Sequence, residues 1–362
     1  MKKSNKPKDM KSTSTILTIS AAAILLFSSC EHRVETKTTV HEDGSIDKTI
    51  TLYKNKSAPN EKNYFNVSSA NGWKVSADSV TKRNSGDSSL SKKYSYTFQK
   101  SFKSVEEANA ELAMPSDSLF HITSKFKKQF RWFYTYYYYS EIYHPLNRFS
   151  LPTADYLTKV DFEFIRQLPA EGGKISKADS LFLKKLNERI FDEYGPRALF
   201  EEFFESLLSF SDGRHIENIR KNKENLYKAF TNDATGYNFF ADNGSGKSFD
   251  IISSKMADSL GIDKNSNKYQ STLKRLESKI DFIGWAKEGK FQHCTEMNGE
   301  IVEHNADSTA GNRYYWSPAY LKFAFENYDM HVTTRKPNLW AWGITILLLG
   351  LTAWRITKRK IS

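Results

Sequence analysis

Residues 33–53 read RVETKTTVHEDGSIDKTITLY, and this stretch has the alternation of a β-hairpin. β-Branched and polar residues alternate from Val34 to Val40, and β-branched residues resume after Asp43-Gly44. A period of two directs alternate side chains to one buried face, and Asp-Gly is a strong signal for a tight hairpin turn. The stretch therefore predicts an antiparallel hairpin at the start of the folded part of the chain.

A second hairpin is predicted further along the chain. Trp73–Lys82 and Ser91–Phe102 are rich in strand-forming residues, and the polar residues 84–87 separate them. Runs of this kind, divided by turn-forming residues, are typical of paired strands. Val105–Met114 follows as a short predicted helix, with Pro115 beyond its end.

Residues 130–139, FRWFYTYYYY, are the most aromatic stretch. No helical stripe is visible in it, because aromatic residues occur on every side. As a strand it has two faces, with Trp132, Tyr134, Tyr136 and Tyr138 on one and Phe133, Tyr137 and Tyr139 on the other. Two apolar faces predict a strand that is covered on both sides.

Two interpretations of this stretch remain open. Tyrosine joins a large apolar area to a polar tip, so Trp132, Tyr134, Tyr136 and Tyr138 are a candidate binding surface for carbohydrate, peptide or lipid. The alternative is a central strand packed between a sheet and a helical block. The aromatic character of both faces favours the central strand.

The pattern from Asp155 to Lys287 is mainly helical. Amphipathic helices are predicted at Lys174–Tyr194, from Pro196 through Leu208, at His215–Phe230 and at Tyr269–Trp285, with a loop at Gly236–Phe249. Strand signals return at Gly299–His304, Arg313–Trp316 and Tyr328–Thr334. The first two flank a polar loop, Asn305–Asn312, and predict a third hairpin.

These patterns predict an α+β fold. Residues 30–154 form an N-terminal β-rich part, residues 155–290 a helical insertion, and residues 291–337 the strands that complete an antiparallel β-rich domain. The strands of the two outer parts are expected to pair across the insertion. That pairing is also expected to bring both ends of the domain to one side.

The first thirty residues have the order of a secretory signal. Met1–Lys11 holds five lysines and one acid, Ile16–Phe27 is almost wholly apolar, and Ser28-Ser29-Cys30 closes the segment. Leu26 to Cys30 resembles a lipobox, which predicts cleavage after residue 29 and acylation of Cys30. The alternative is an ordinary signal peptide, residues 1–29, followed by a chance cysteine.

The C-terminal sequence predicts a transmembrane helix at residues 338–356. Leu339–Ile356 carries no charge before Arg355, and a spanning helix needs about twenty apolar residues. Trp340, Trp342 and Trp354 stand where an aromatic belt would anchor it, and Arg355 begins a basic stop. The excess of positive charge after the helix predicts a cytoplasmic tail at residues 357–362. A buried core helix is the alternative.

The two ends together predict a lipid-anchored, single-pass protein of the cytoplasmic membrane. Its main domain is expected outside the cytoplasm, in the periplasm if the cell is Gram-negative. The whole chain has a formal charge of +11, but the signal and the tail hold most of it, which leaves about +3 on the exposed domain. That charge predicts no nucleic-acid partner. Acylation of Cys30 would leave Cys294 without a disulfide partner, and a buried thiol is expected.

Residues 298–316, NGEIVEHNADSTAGNRYYW, resemble the hairpin of LppM-type bacterial membrane lipoproteins. The residues that carry the resemblance are Gly299, Ile301, Val302, Asn305, Ala306, Gly311 and Trp316. The hairpin at Asp43-Gly44 and the two anchors also fit this family, while the relaxed lipobox and the tyrosine-rich strand resemble lipoproteins of Bacteroidota. The resemblance covers about sixty residues and excludes Asp155–Lys287. It implies a compact α+β envelope domain with an apolar groove for lipid, and it supplies no catalytic residues.

No catalytic or metal-binding constellation is predicted. Residues 242–248 contain Gly-Lys-Ser but lack the first glycine of a phosphate loop, because Ala241 stands there. His293, Cys294, Glu296 and His304 suggest a metal or a nucleophile, but a buried cysteine with surface histidines is favoured. Glu201, Glu202 and Glu205 fit an exposed helical face better than paired catalytic carboxylates.

The sequence therefore predicts a non-enzymatic envelope protein that needs no cofactor. Membrane lipid holds its two anchors, and a partner protein or a lipid is its expected ligand. A hydrolase with its active site in the helical insertion is the alternative. A lipid-transfer role predicts an apolar cavity between the sheet and the insertion.

Overall fold

The computed structural model describes most of the chain between Arg33 and Ile361. The described residues are 33–54, 65, 67–83, 90–113, 118–210, 213–233, 254, 257–258, 261–274, 276, 279 and 290–361. The predicted signal peptide with Cys30, the loop predicted at Gly236–Phe249, and residues 242–248 within it lie outside these ranges.

The alternation in residues 33–53 folds into the predicted hairpin. Strand β1 (Arg33–Val40) pairs antiparallel with strand β2 (Ile46–Lys54). Gly44 lies in the turn with a φ of 91°, a conformation that glycine adopts without strain. A Cβ atom at this position would also lie 2.9 Å from the Phe126 ring. The glycine of the Asp-Gly signal is thus required by both the turn and its close approach to a neighbouring strand.

Seven strands form the first sheet. Besides β1 and β2 they are β3 (Lys74–Arg83), β4 (Leu90–Phe102), β7 (Lys290–Met297), β9 (Ser308–Ala310) and β10 (Arg313–Trp316). Their order is β3-β4-β2-β1-β7-β10-β9. The antiparallel pair β3 and β4 confirms the second predicted hairpin. Strand β7 was not predicted, and its parallel pairing with β1 confirms that the two outer parts of the domain pair across the helices.

Four strands form the second sheet, in the order β5-β6-β11-β8. They are β5 (Ile122–Phe130), β6 (Tyr134–Tyr143), β8 (Glu300–His304) and β11 (Tyr328–Pro337). The prediction of one strand through residues 130–139 is wrong, because the chain reverses at Trp132 and Phe133 and β5 pairs antiparallel with β6. The predicted alternation holds only from Tyr134 onward.

The two sheets pack face to face around a mixed core. From β6, every second side chain enters that core, and the intervening side chains are half-buried. The second face of this strand is therefore partly covered rather than fully buried. Aromatic rings fill one end of the interface, where Phe120 stacks on Phe65 and packs against Tyr143 and Phe291. A polar network fills its middle.

The hairpin predicted at residues 298–316 does not form. Strand β8 pairs with β11 in the second sheet, whereas β10 pairs with β7 and β9 in the first. The chain crosses between the sheets at Asn305, whose N–H donates to the His331 carbonyl oxygen and whose side-chain and backbone oxygens accept from Trp316 Nε1. Asn305 and Trp316 thus join the two sheets. This role requires the amide group of Asn305 and the indole N–H of Trp316.

Helices occupy the middle of the chain, as the α+β prediction requires. They are α1 (Val105–Leu112), α2 (Lys159–Gln167), α3 (Lys177–Glu188), α4 (Gly195–Phe210), α5 (Gly213–Lys221) and α6 (Lys223–Asp233). A π-helical stretch, Arg189–Tyr194, joins α3 to α4 without a break. Residues 267–274 are also helical and overlap the start of the helix predicted at Tyr269–Trp285.

The helical block packs against one end of the sandwich. Tyr194 accepts a hydrogen bond from Asn147 and donates one to the Leu151 carbonyl oxygen, and Tyr320 donates one to Asn187. These contacts involve the chain that leaves β6 and the chain that enters β11. The block therefore lies where Tyr143 pairs with Tyr328, at the far end from Pro337.

The C-terminal helix, Leu339–Ile361, begins two residues after β11. Its segment Leu339–Arg359 is long and apolar enough to cross a membrane, and only 6% of the apolar window is buried. A core helix would be covered by the rest of the protein. The helix is therefore not covered by the described part of this chain, as a buried core helix would be.

The two ends of the domain do not lie on one side, contrary to expectation. Thr36 contacts Tyr143 at the far end of β6, while Glu42, beyond β1, contacts Tyr137 and Lys336. Strand β1 therefore runs toward the C-terminal helix. Its first residue, Arg33, lies about nine residues from Glu42, or about 30 Å at the rise of a β-strand.

Candidate functional site

Asn338 joins the last strand to the C-terminal helix and holds the β5–β6 turn. Its backbone N–H donates to the Phe133 carbonyl oxygen at 2.8 Å. Its side-chain amide donates to the carbonyl oxygens of Arg131 at 2.7 Å and Trp132 at 3.2 Å, and its Oδ1 accepts from Thr135. The Asn338 carbonyl oxygen also accepts from the first helical amides. One residue thus fixes the turn to the start of the helix.

Five aromatic residues surround this joint and are here called the aromatic cluster: Phe130, Trp132, Phe133, Trp340 and Trp342. Phe130 stacks on Trp340 with ring centroids 6.0 Å apart, and Trp132 meets the same ring edge-on at 5.5 Å. Phe133 lies 4.4 Å from Trp342. Phe130, Trp132 and Trp340 remain about half exposed. Apolar groups held together and left uncovered mark a surface that contacts another protein or a membrane.

Tyr134, Tyr136 and Tyr138 share the outer face of β6 and are here called the tyrosine face. A cation lies over each ring, with Arg335 4.4 Å from Tyr134, Arg131 4.9 Å from Tyr136 and Lys127 5.9 Å from Tyr138. The last two tyrosine rings stack at 6.3 Å. The face thus offers half-buried aromatic area with positive charge, which suits an anionic or polar-aromatic ligand.

The residues proposed from sequence as one surface are divided by this geometry. Trp132 belongs to the aromatic cluster at the turn, whereas the three tyrosines line the strand above it. The sequence did not identify Phe130, Phe133 or Asn338, because their contacts depend on a helix about two hundred residues away.

Trp340, Trp342 and Trp354 are all exposed on the C-terminal helix. Lys358 lies 5.0 Å from the Trp354 ring, one turn further along the helix. Arg355 is likewise exposed. Their role as membrane-interface anchors stays a prediction.

A charged network that sequence reasoning missed lies between the two sheets. Lys48 Nζ lies 2.6 Å from Glu141 Oε1, and both side chains are fully buried. Glu141 Oε2 accepts from Thr38 at 2.9 Å and from Tyr139 at 2.8 Å. The carboxylate has therefore exchanged water for one ammonium group and two hydroxyl groups.

His293 extends this network and is also fully buried. Its Nδ1 lies 2.7 Å from Thr36 Oγ1 and its Nε2 3.0 Å from Thr295 Oγ1. Burial, opposed by Glu141, lowers the pKa of His293 to about 4. The ring is therefore neutral at pH 7, and its 3.8 Å separation from Glu141 is not an ion pair there.

The ionisation of Glu141 follows from two opposed effects. Burial disfavours its charged form, but the Lys48 ammonium group and the hydrogen bonds outweigh burial and lower the pKa of the carboxyl. A sealed network of this kind has no route to a substrate. Its geometry supports a structural role.

The candidate residues near Cys294 do not form a site. His293 and Cys294 are neighbours on β7 and point to opposite faces of the sheet. Burial raises the pKa of the Cys294 thiol, which keeps it protonated. His304 packs against Tyr314 with the rings tilted by 57°, and it accepts a hydrogen bond from the Ala306 amide. The expectation of a buried cysteine with surface histidines is wrong, since Cys294 is half-buried and His293 is buried.

Glu201 and Glu202 of α4 serve as ion-pair partners. Glu201 lies 2.8 Å from Arg197 and 2.5 Å from Lys223, and Glu202 lies 2.7 Å from Lys279. Only Glu205 is exposed as expected. Glu201 and Glu202 are partly buried because they hold neighbouring helical segments together.

Three grooves stand out in the described part of the chain. One of about 520 Å³ lies beside the β1–β2 turn, one of about 270 Å³ beside Cys294, and one of about 700 Å³ within the helical block. None of the three lies between the sheets and the helices. The cavity expected for lipid transfer is not among them.

Comparisons with known proteins add little to this geometry. No protein family and no curated protein matches the chain. The chain is similar to the folded domain of LppM from Mycobacterium tuberculosis, solved by NMR, with 8% identity and a TM-score of 0.25. The match covers 87% of this chain and 95% of that one. This is a weak resemblance at the level of fold, and it leaves the LppM-type interpretation a prediction.

Proposed function

We propose that this chain is a membrane-anchored protein of the cell envelope that binds a partner without catalysis. Its domain stands at the outer face of the cytoplasmic membrane, held by the C-terminal helix and by an acyl group on Cys30. The tyrosine face is its binding surface. The ligand is a partner protein or a lipid headgroup.

The joint at Asn338 is the observation that supports this proposal. It ties the β5–β6 turn directly to an apolar helix, so the tyrosine face begins at the level where that helix starts. A flexible linker would let the domain turn freely. Instead, the four hydrogen bonds of Asn338 fix the face relative to the helix, which supports a fixed position beside the bilayer.

The charges around the tyrosine face also support binding. Arg335 is held by both oxygens of Glu300 at 2.9 Å, which orients its guanidinium group beside Tyr134. Arg131 and Lys127 are exposed. Aromatic and arginine side chains held in fixed positions are common at the centres of binding interfaces.

The hydrolase alternative gains no support from the described residues. The buried charges of the sandwich are sealed, and Glu201 and Glu202 are engaged by cations. A general acid or base must reach its substrate within hydrogen-bond distance. We therefore favour binding.

Photo-crosslinking in intact membranes tests the binding surface. A benzophenone side chain at Tyr136 is expected to capture a ligand, because that ring is half-buried on the tyrosine face. The matched control is Val75, which is 42% exposed on edge strand β3 of the other sheet. A protein adduct or a lipid adduct specific to residue 136 distinguishes the two ligand classes. Equal labelling at residues 136 and 75, or none at either, would contradict the proposal.

A second experiment tests the two anchors. An ordinary cleavable signal replaces residues 1–29, and Cys30→Ala removes the acylation site. This variant is expected to lose acyl labelling and yet remain in the membrane fraction, because a spanning helix binds far more strongly than one acyl group. Fractionation and metabolic labelling measure both effects. Release into the soluble fraction would refute the helical anchor. Persistent acyl labelling would refute Cys30 as the acylation site.

A further inference from the structure

The β5–β6 turn has an unusual composition for its geometry. Arg131 and Tyr134 exchange two backbone hydrogen bonds, of 2.8 and 3.1 Å, so Trp132 and Phe133 form the tip of a two-residue turn. Two-residue hairpin turns favour Asn-Gly or similar residues. Here the tip carries two large apolar side chains, and Phe130 beside it is 55% exposed.

The turn runs alongside the C-terminal helix rather than stopping above it. Trp132 Nε1 donates to Thr345 Oγ1 at 3.0 Å. Thr345 lies six residues beyond Leu339, which corresponds to about 9 Å along a helix axis. The Trp132 ring thus reaches past the first turn of the segment that is apolar enough to span a membrane.

The polar atoms of the turn are satisfied in a way that suits an apolar surrounding. The carbonyl oxygens of Arg131, Trp132 and Phe133 all accept hydrogen bonds from Asn338. The Arg131 oxygen also accepts from the Tyr134 N–H. Water would serve the oxygens of Trp132 and Phe133 at an exposed turn, but hydrocarbon offers no donor, and an unpaired carbonyl there costs several kcal/mol. Asn338 therefore removes much of the cost of taking this turn out of water.

The charged groups near the tip point away from it. The Arg131 guanidinium group lies over Tyr136, two residues up strand β6 from Tyr134. Lys128 approaches the Glu42 carbonyl oxygen, and Lys336 pairs with the Glu42 carboxylate. The cations thus lie above the aromatic tip, as lipid headgroups lie above the hydrocarbon of a bilayer. Long basic side chains near a membrane extend in the same way to the polar layer.

We infer that the β5–β6 turn is a second membrane-inserting element. Trp132 and Phe133 enter the outer leaflet beside the first turns of the C-terminal helix, and the lipid bilayer is their binding partner. This inference rests on the proposed membrane anchorage and adds a second contact to it. The paired insertion fixes the direction in which the domain stands, which a lone helix would leave free to rotate.

Quenching by brominated lipids tests this inference on the full chain in nanodiscs. The contribution of each tryptophan is the fluorescence difference between the wild type and a Trp→Phe variant. The contribution of Trp132, obtained with Trp132→Phe, is expected to be largely quenched by acyl-brominated lipid. Aqueous iodide is expected to leave it unchanged. Trp316→Phe is the control for a ring buried in the sandwich, whose contribution should resist both quenchers.

Trp342→Phe separates failure of the inference from failure of the anchorage. If lipid bromines quench Trp342 while iodide alone quenches Trp132, the helix is in the membrane and the turn is not, which overturns the inference. If bromines quench neither ring, the membrane anchorage fails as well. Quenching of both rings by bromines supports the inserted turn.

Discussion

Lys48→Met is expected to lower the free energy of unfolding by about 3–5 kcal/mol, because it leaves a buried carboxylate without its counter-charge. Lys48 and Glu141 are fully buried and lie 2.6 Å apart, so water cannot replace the lost ammonium group. Methionine keeps the shape of the side chain, so little of the loss comes from packing. Urea unfolding of the detergent-solubilised chain measures the effect.

Two controls isolate the charge. Lys37→Met removes an ion pair with Glu296 at a partly exposed position and should cost less than about 1 kcal/mol. Adding Glu141→Gln to Lys48→Met should recover much of the loss, because the amide still accepts from Thr38 and Tyr139 and carries no charge. If Lys48→Met costs no more than Lys37→Met, the buried pair does not hold the sheets together.

The domain is expected to lose stability as the pH falls from about 6.5 to about 4, by up to about 3 kcal/mol. Burial lowers the pKa of His293 from 6.5 to about 4 in the folded protein. Between these values the unfolded chain binds a proton at this ring and the folded protein does not, so acid favours unfolding. The loss is complete once the pH lies below the folded pKa.

His293→Gln separates this effect from other acid-sensitive groups. An amide can still hydrogen-bond Thr36 and Thr295, but it does not titrate, so the slope of stability against pH should be shallower between pH 6.5 and 4. Glu141 acts at lower pH: its pKa is below 4.5 in the fold, so its contribution is lost only as the pH falls below that value. Identical slopes for the wild type and the variant would refute the assignment.

The sequence predicts those parts of this fold whose signals are local. Asp43-Gly44 specifies its own turn, and the alternation on either side specifies the buried faces of β1 and β2. The α+β class and the pairing of the outer strands follow from the same patterns. Strand β7 was missed because its inward residues His293 and Thr295 are polar, and their partners come from other strands.

The site could be predicted only in part, since its key contacts are distant in sequence. Trp132 and Phe133 carry no turn signal, and Asn338 stabilises their turn from the far end of the chain. The sequence weakly indicates that Lys48 and Glu141 are buried, because each is one charged residue on the apolar side of an alternating strand. Two such residues of opposite sign suggest a buried pair, although one sequence does not show that they meet.

The direction of β1 has a consequence for how this protein sits on its membrane. Three peptide units separate Cys30 from Arg33, and a link of that length spans at most about 10 Å. If Cys30 is acylated, the lipid is attached close to Arg33, at the end of the sandwich opposite the C-terminal helix. The two ends are about 30 Å apart. Both anchors can then reach one bilayer only when the long axis of the sandwich lies along the membrane surface. A single acyl group holds weakly, so the inserted β5–β6 turn and the C-terminal helix must hold the domain in that same direction.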